Sequence, residues 1–261
     1  MPRTVRAWTR PRPRRRRRAG PGAASRRSAL LRRRPSPPSA AATRTEWWWP
    51  PSPTIFRTIP AGFLSFEHLL VPEIDPSPTP YAWGHEFSFV GGGSGWLGLR
   101  SGDGAGGGDK AAVFVVRGAV GATGHGATAT AGPEPGWACT LPCPWEAGRT
   151  YRLRVRTEAD GWWSGEVADE GGGGPVLIGR AQVPGGWRRL ASRSVSWTEY
   201  RGGPLADCAD LAPSQVTFSV PTADGAVLPL RHENLLGPGT CPGSEIDDLG
   251  GGVRHRMGRR A

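Results

Sequence analysis

Glu199 is the carboxylate with the most chemical potential in this sequence. Along Ser194–Tyr200, Val195 and Trp197 alternate with Ser194, Ser196, Thr198 and Tyr200, and Glu199 falls in phase with the two apolar side chains. A carboxylate on the apolar face of a strand must be paired, protonated or near solvent at the strand end. Burial would raise its pKa and make it a general acid or base; an arginine partner would make it a structural ion pair. Glycan hydrolysis needs a second carboxyl group about 5–9.5 Å away. Glu86, Glu166 and Asp169 are the candidate partners. Glu166 and Asp169 stand three residues apart, so on one strand they face opposite ways and make no acid pair of their own.

The remaining reactive residue types carry weaker signals. His85 sits in an aromatic stretch, where a histidine is ordinarily a core residue. His232, next but one to Asn234, and His255 near the C-terminal end have no motif around them. No His-x-x-x-His or Glu-x-x-His spacing exists, so no metal and no cofactor are expected. Glu245, Asp247 and Asp248 supply too few ligands for calcium and read as an acidic turn. Gly92-Gly93-Ser94-Gly95 is a loop and not a nucleophile elbow, because no helix follows it. Four cysteines, Cys139, Cys143, Cys208 and Cys241, are disulfide candidates. Two bridges would allow three connectivities and would suit an oxidising, secreted setting, although no signal peptide is recognisable. Zinc would need a second closely spaced pair beside the one in CTLPC, and free thiols are the other alternative.

The elements that must position these residues are strands. The sequence of 261 residues contains 40 Gly and 27 Pro, which leaves few windows long enough for a helix. No apolar run approaches the roughly 18 residues of a membrane helix. From Tyr81 onward, apolar and polar residues alternate with period 2 between Gly- and Pro-rich turns, the pattern of an all-β antiparallel sandwich. Tyr81, Trp83, His85, Phe87 and Phe89 share one face. Ala111 to Val116 is apolar throughout and predicts a central strand covered on both sides. Val216 and Phe218 alternate with Thr217 and Ser219, and Ala226, Leu228 and Leu230 continue in the same way. Phe63 to Val71, between Pro60 and Pro72, is compatible with either a short helix or a strand.

One hairpin can be placed in register. Tyr151, Leu153 and Val155 alternate with Arg152, Arg154 and Arg156, and the chain returns along Trp162 to Val167. A three-residue turn with Gly161 left-handed pairs Leu153 with Val167 and Arg154 with Glu166, matching apolar to apolar and charge to charge. Trp163 then lies on the Val155 face, whereas Trp162 joins Arg154, Arg156 and Glu166 outside. An outward indole among charged groups suits a sugar ring, whose apolar face stacks on aromatics while polar neighbours take the hydroxyls. Trp162, Arg154, Arg156 and Glu166, with Tyr200 and His232, are therefore the expected ligand-binding residues, and Trp96, Trp137 and Trp145 are expected to add to them from loops.

GRTYRLRV (Gly148 to Val155), GWWSGEV, IGRAQVP (Ile178 to Pro184), WTEYRGGP (Trp197 to Pro204), YAWGHEFSFVGG and GWLGLR together resemble the bacterial domain of unknown function 3472. The resemblance spans roughly residues 72–258. It implies a β-sandwich of jelly-roll or lectin-like type and brings no activity with it.

The net charge of +11 is concentrated in residues 1–46, which hold fifteen Arg against the single acid Glu46; residues 47–261 carry −3. Runs such as Arg14 to Arg18 repel themselves and bury nothing, so 1–46 is expected to be a disordered basic tail, either a misassigned start or an arm for nucleic acid. Residues 47–71 are expected to link it to a sandwich over 72–258. The expected function is a carbohydrate-binding module rather than an enzyme. A glycan-acting hydrolase or lyase using Glu199, and nucleic-acid contact through the tail, are the alternatives.

Overall fold

The computed structural model describes residues 42–48, 62–102, 110–132, 134–226, 231–237 and 240–258. Two antiparallel sheets pack face to face. The first runs, in spatial order, β15 (Arg231–Leu236), β1 (Ala42–Trp48), β12 (Leu190–Tyr200), β3 (Tyr81–Phe89), β4 (Ser94–Ser101), β5 (Ala111–Arg117), β8 (Gly136–Pro142) and β7 (Thr128–Thr130). The second runs β16 (Glu245–Asp248), β17 (Gly252–Met257), β13 (Ser214–Ser219), β2 (Ser65–Ile74), β9 (Tyr151–Thr157), β10 (Trp162–Asp169), β11 (Val176–Gln182) and β6 (Gly121–Gly124), with the short β14 (Thr222–Ala223) also on β2. The all-β antiparallel sandwich expected from the sequence is the observed architecture. Among the described residues, no helix is long and apolar enough to cross a membrane.

The sandwich starts earlier than expected. β1 falls within the stretch assigned to the tail and linker, and β2 begins at Ser65, ahead of the boundary at 72. β1 pairs along its whole length with β12 on one side and β15 on the other. Thr43 and Thr45 point inward and are buried while Arg44 is exposed, a period-2 pattern that the surrounding arginines hide in the composition. Residues 1–41 lie outside the described residues, and so does most of the Ala226–Leu230 alternation.

Alternation along each strand delivers one face to a common core. Tyr81, Trp83, Phe87, Phe89, Leu97, Leu99, Phe114 and Val116 come from the first sheet, and Leu70, Leu153, Val155, Trp163, Ile178, Val216 and Phe218 from the second. Each such side chain contributes about 1.5–3 kcal/mol by leaving water. Close packing reaches the backbone at Gly165, where a Cβ would sit 2.5 Å from the Phe114 ring. β5 is buried on both faces: Ala112, Phe114 and Val116 enter the main core, while Ala111, Val113 and Val115 form a second cluster with Trp96 and Ala138 on the outer face. The β9–β10 hairpin has the expected register, Leu153 opposite Val167 and Arg154 opposite Glu166. Its turn, Ala159–Gly161, holds both Asp160 and Gly161 at positive φ. Trp163 is fully buried and Trp162 half-buried on the outer face.

β12 faces the opposite way from the sequence expectation. Ser194, Ser196 and Thr198 are turned inward and buried, whereas Val195, Trp197 and Glu199 look outward. The inward hydroxyls meet histidines instead of hydrocarbon. His85 Nδ1 lies 3.0 Å from Ser196 Oγ. His255 Nδ1 and Nε2 lie 3.2 Å from Thr198 Oγ1 and 2.8 Å from Thr45 Oγ1. Thr45 gives its own proton to Asn234 Oδ1 at 2.9 Å, so it accepts from His255 Nε2–H, and Thr198 donates to the bare Nδ1. That chain ties β17 of the second sheet to β1, β12 and β15 of the first. His68 is different: it is fully buried, 4.5 Å from the His85 ring, and neither of its nitrogens has a hydrogen-bond partner.

Candidate functional site

The outer face of the first sheet carries a groove. Gly84 on β3 stands directly opposite Gly98 on β4, so no side chain rises between the flanking rows. Trp197 from β12 lies across Gly84, where a Cβ would be 2.6 Å from the indole. Trp96 from β4 meets Trp197 edge to face, with centroids 5.2 Å apart. Trp197 is only 7% exposed, while Trp96 is half-buried and presents its ring to the groove. The groove, about 410 Å³, continues over Ala82, Val113, Val115 and Ala138. Thr130 and Thr140 add hydroxyls, and Arg100 and Arg201 add guanidinium groups.

The charges at this groove are unevenly satisfied. Arg201 Nη1 donates to Glu199 Oε2 at 2.8 Å. Glu199 stands opposite Ala82, which separates it from Arg100 in the same cross-strand row. Arg100 makes no ion pair among the described residues, and its Nε is buried without a hydrogen-bond partner. Glu86 shares the outer face but lies four residues along β3 from Ala82, roughly 13 Å at strand rise; its nearest cation is Arg117, at 3.8 Å. Glu166 and Asp169 belong to β10, in the other sheet.

The six residues expected to bind ligand do not converge. Trp162, Arg154, Arg156 and Glu166 do share the outer face of the second sheet. There Arg156 Nε and Nη2 both donate to Glu166 Oε1, at 3.0 and 2.8 Å. Arg180 Nε donates to Glu158 at 2.7 Å, and Arg154 lies 4.0 Å from Glu67. Opposite charges thus offset one another across this face, and the paired guanidinium groups already have carboxylate acceptors. Tyr200 is at the end of β12, edge-on to Tyr81 at 5.9 Å. His232 is on the edge strand β15, with Nε2 3.0 Å from Asp248. Trp145 is buried: its Nε1 donates to Arg100 O at 2.9 Å, and Lys110, the sole lysine of the chain, sits 3.9 Å over its ring. Trp96 belongs to a strand and not to a loop. The phase Trp96–Gly98–Arg100 within GWLGLR was the available sign of this site.

The cysteines separate into one bridge and two thiols. Cys208 and Cys241 form a disulfide. Cys139 and Cys143 are free, which corrects their place among the disulfide candidates. Burial pushes both thiols up. Glu245 and Asp247 are engaged by Arg256, at 2.9 and 2.6 Å. Among the described residues, no three His, Cys, Asp or Glu side chains gather as a metal site. The proposed nucleic-acid arm lies outside the described residues, apart from the part of 1–46 that forms β1.

Solved structures that this chain resembles include two peptidases. Scytalido-glutamic peptidase with a peptide-based transition-state analog aligns at a TM-score of 0.49 and 11% identity, over 85% of this chain and 100% of that one. SCP-B, a member of the Eqolisin family of peptidases, in a complex with the tripeptide Ala-Ile-His, aligns at 0.47 and 10%, over 84% of this chain and 98% of that one. Peptidase activity is a property of those proteins. No protein-family model matches this chain, and no curated protein matches it.

Proposed function

We propose that this protein is a carbohydrate-binding module that takes its ligand in the Trp96 groove. The observation that carries this reading is a half-buried indole flanking a concave, outward-facing apolar floor, with Thr130, Thr140, Arg100 and Arg201 at its margins. Sugars are held by this combination: the ring face stacks on an aromatic, and side-chain donors and acceptors take the hydroxyls. Segments by which the chain resembles the domain of unknown function 3472 meet at this groove. YAWGHEFSFVGG, GWLGLR and WTEYRGGP lie on or run out of the neighbouring strands β3, β4 and β12, and they contribute Ala82, Trp96, Arg100 and Arg201 to the groove.

Affinity electrophoresis through a panel of polysaccharides tests the site. Trp96→Ala is expected to weaken retardation about tenfold, the loss of one stacked ring, and Trp162→Ala to leave it unchanged. Sensitivity to Trp162→Ala alone would move the site to the other sheet.

A second reading is a hydrolase using Glu199, favoured by the position of that carboxylate beside the groove, held by Arg201. If it is correct, Glu199→Gln lowers turnover of a bound glycan by a hundredfold or more while binding persists. A wild-type protein that binds but releases no reducing ends removes this reading.

A further inference from the structure

We infer that the groove selects acidic saccharides and that Arg100 is the residue that takes the sugar carboxylate. The inference rests on the carbohydrate-binding reading above and goes further by naming the ligand class.

The argument starts from charge. Many of the chain's described arginines have a carboxylate close by: Arg149 has Glu146 and Asp169, Arg152 has Glu170, Arg156 has Glu166, Arg180 has Glu158, and Arg254 has Glu73. Arg100 has none among the described residues, and it is not out in solvent. It is half-buried in the groove wall, and its Nε is cut off from water with no acceptor. Arg100 also borders the groove, so its charge, without a carboxylate among the described residues, is best met by an anion that arrives with the ligand.

Its neighbourhood reinforces this. Among the described residues that line the groove, the other charged one is also basic, Arg201. The carboxylate nearest to that side, Glu199, is already bonded to Arg201. Glu86 stands off along β3 beside Arg117. A guanidinium fork matches the two oxygens of a carboxylate. Trp96 and Arg100 are four residues apart on the same face of β4, roughly 13 Å along the strand. The span between the indole and the guanidinium, once the side chains lean into the groove, matches a short run of pyranose units carrying carboxylates. The apolar stretch over Val113 and Val115 favours ring faces over a phosphate-rich polymer.

The test is calorimetric titration of the full-length protein with hexagalacturonate and with its fully methyl-esterified form. The acid is expected to bind at least tenfold more tightly than the ester. In Arg100→Gln that preference, read as the ratio of acid to ester affinity, should disappear, and in Arg100→Lys part of it should return. A circular-dichroism spectrum and melting midpoint matching the wild type show that each variant is folded. Equal binding of acid and ester by the wild type overturns the acidic preference and leaves the carbohydrate reading standing. A preference that survives in Arg100→Gln overturns the role of Arg100. Tighter binding of hexaglutamate than of hexagalacturonate overturns the saccharide assignment. If no saccharide of any kind binds, the carbohydrate reading falls and this inference falls with it.

Discussion

On acidification from pH 7 toward pH 4, the free energy of unfolding is expected to drop by several kcal/mol, because three histidines that are neutral in the fold become charged on unfolding. Burial lowers His68 and His255 to about 3, and it holds His85 well below the ordinary histidine value, with His68 adding to the effect. In the unfolded chain each titrates near 6.5. Between those values the unfolded state binds more protons than the folded state, so stability rises with pH across that window. It is full above about pH 6.5 and is lost progressively as pH falls toward 3. Each histidine contributes a slope of about 1.4 kcal/mol per pH unit, so three acting together remove an ordinary domain stability of 5–15 kcal/mol within a few units. Glu73, Asp75, Asp169 and Asp248, all held below the usual carboxylate range by hydrogen bonds and basic partners, add to the loss only near and below pH 4.

Urea denaturation at a series of pH values checks this; a midpoint constant from pH 7 to pH 4.5 would refute it. His68 offers a sharper version. Its ring makes no hydrogen bond, so His68→Leu, of similar volume, discards a buried polar group without orphaning a partner. The variant is expected to be at least as stable as the wild type at pH 7 and to show a shallower acid slope, by one proton. His255→Leu should behave differently, because it strands Thr45 and Thr198.

The second large effect is the Cys208–Cys241 bridge. It spans 33 residues of sequence, and closing a loop of that length lowers the entropy of the unfolded chain by an amount worth about 3.5–4 kcal/mol. Reduction, or Cys208→Ala with Cys241→Ala, is expected to lower stability by about that much. The bridge secures the turn after Asp207, whose side chain accepts from the Ala209 N–H, to the chain that follows edge strand β15. A Cys143→Ser variant should keep the same sensitivity to reductant. Indistinguishable melting with and without reductant would show that the bridge contributes nothing.

What the sequence revealed depended on whether the information was local. The β9–β10 hairpin was legible because its two strands adjoin and its residues discriminate registers: one alignment pairs Leu153 with Val167 and Arg154 with Glu166, and the other does not. β12 was legible as a strand but not in its orientation. Alternation separates two faces without saying which one meets the core, and here the hydroxyl face is inside because His85 and His255, distant in sequence, receive it. β1 was hidden because Thr43 and Thr45 sit beside Arg44 at the end of the arginine-rich stretch, and only pairing with β12 and β15 gives them a buried face. The groove draws on positions 82, 96, 100, 113, 115, 138 and 201. Trp96 and Arg100 share a strand, and the remaining contributions come from segments that only the sheet order brings together. The disulfide likewise needed three dimensions, since four cysteines alone allow three pairings.

The two flanks of the molecule are closed by different means. On one, the main chain crosses between sheets at His125, whose N–H donates to Ile178 O on β11 and whose carbonyl accepts from Thr140 N–H on β8. That seam is made of peptide groups and is indifferent to protons. On the other, Thr45 and Thr198 meet the His255 ring and Thr45 passes its own proton to Asn234, so closure there depends on a neutral imidazole. This molecule is therefore like a book bound along one side: a proton on His255 bears on the seam that joins β17 to β1 and β12, while the spine stays sewn.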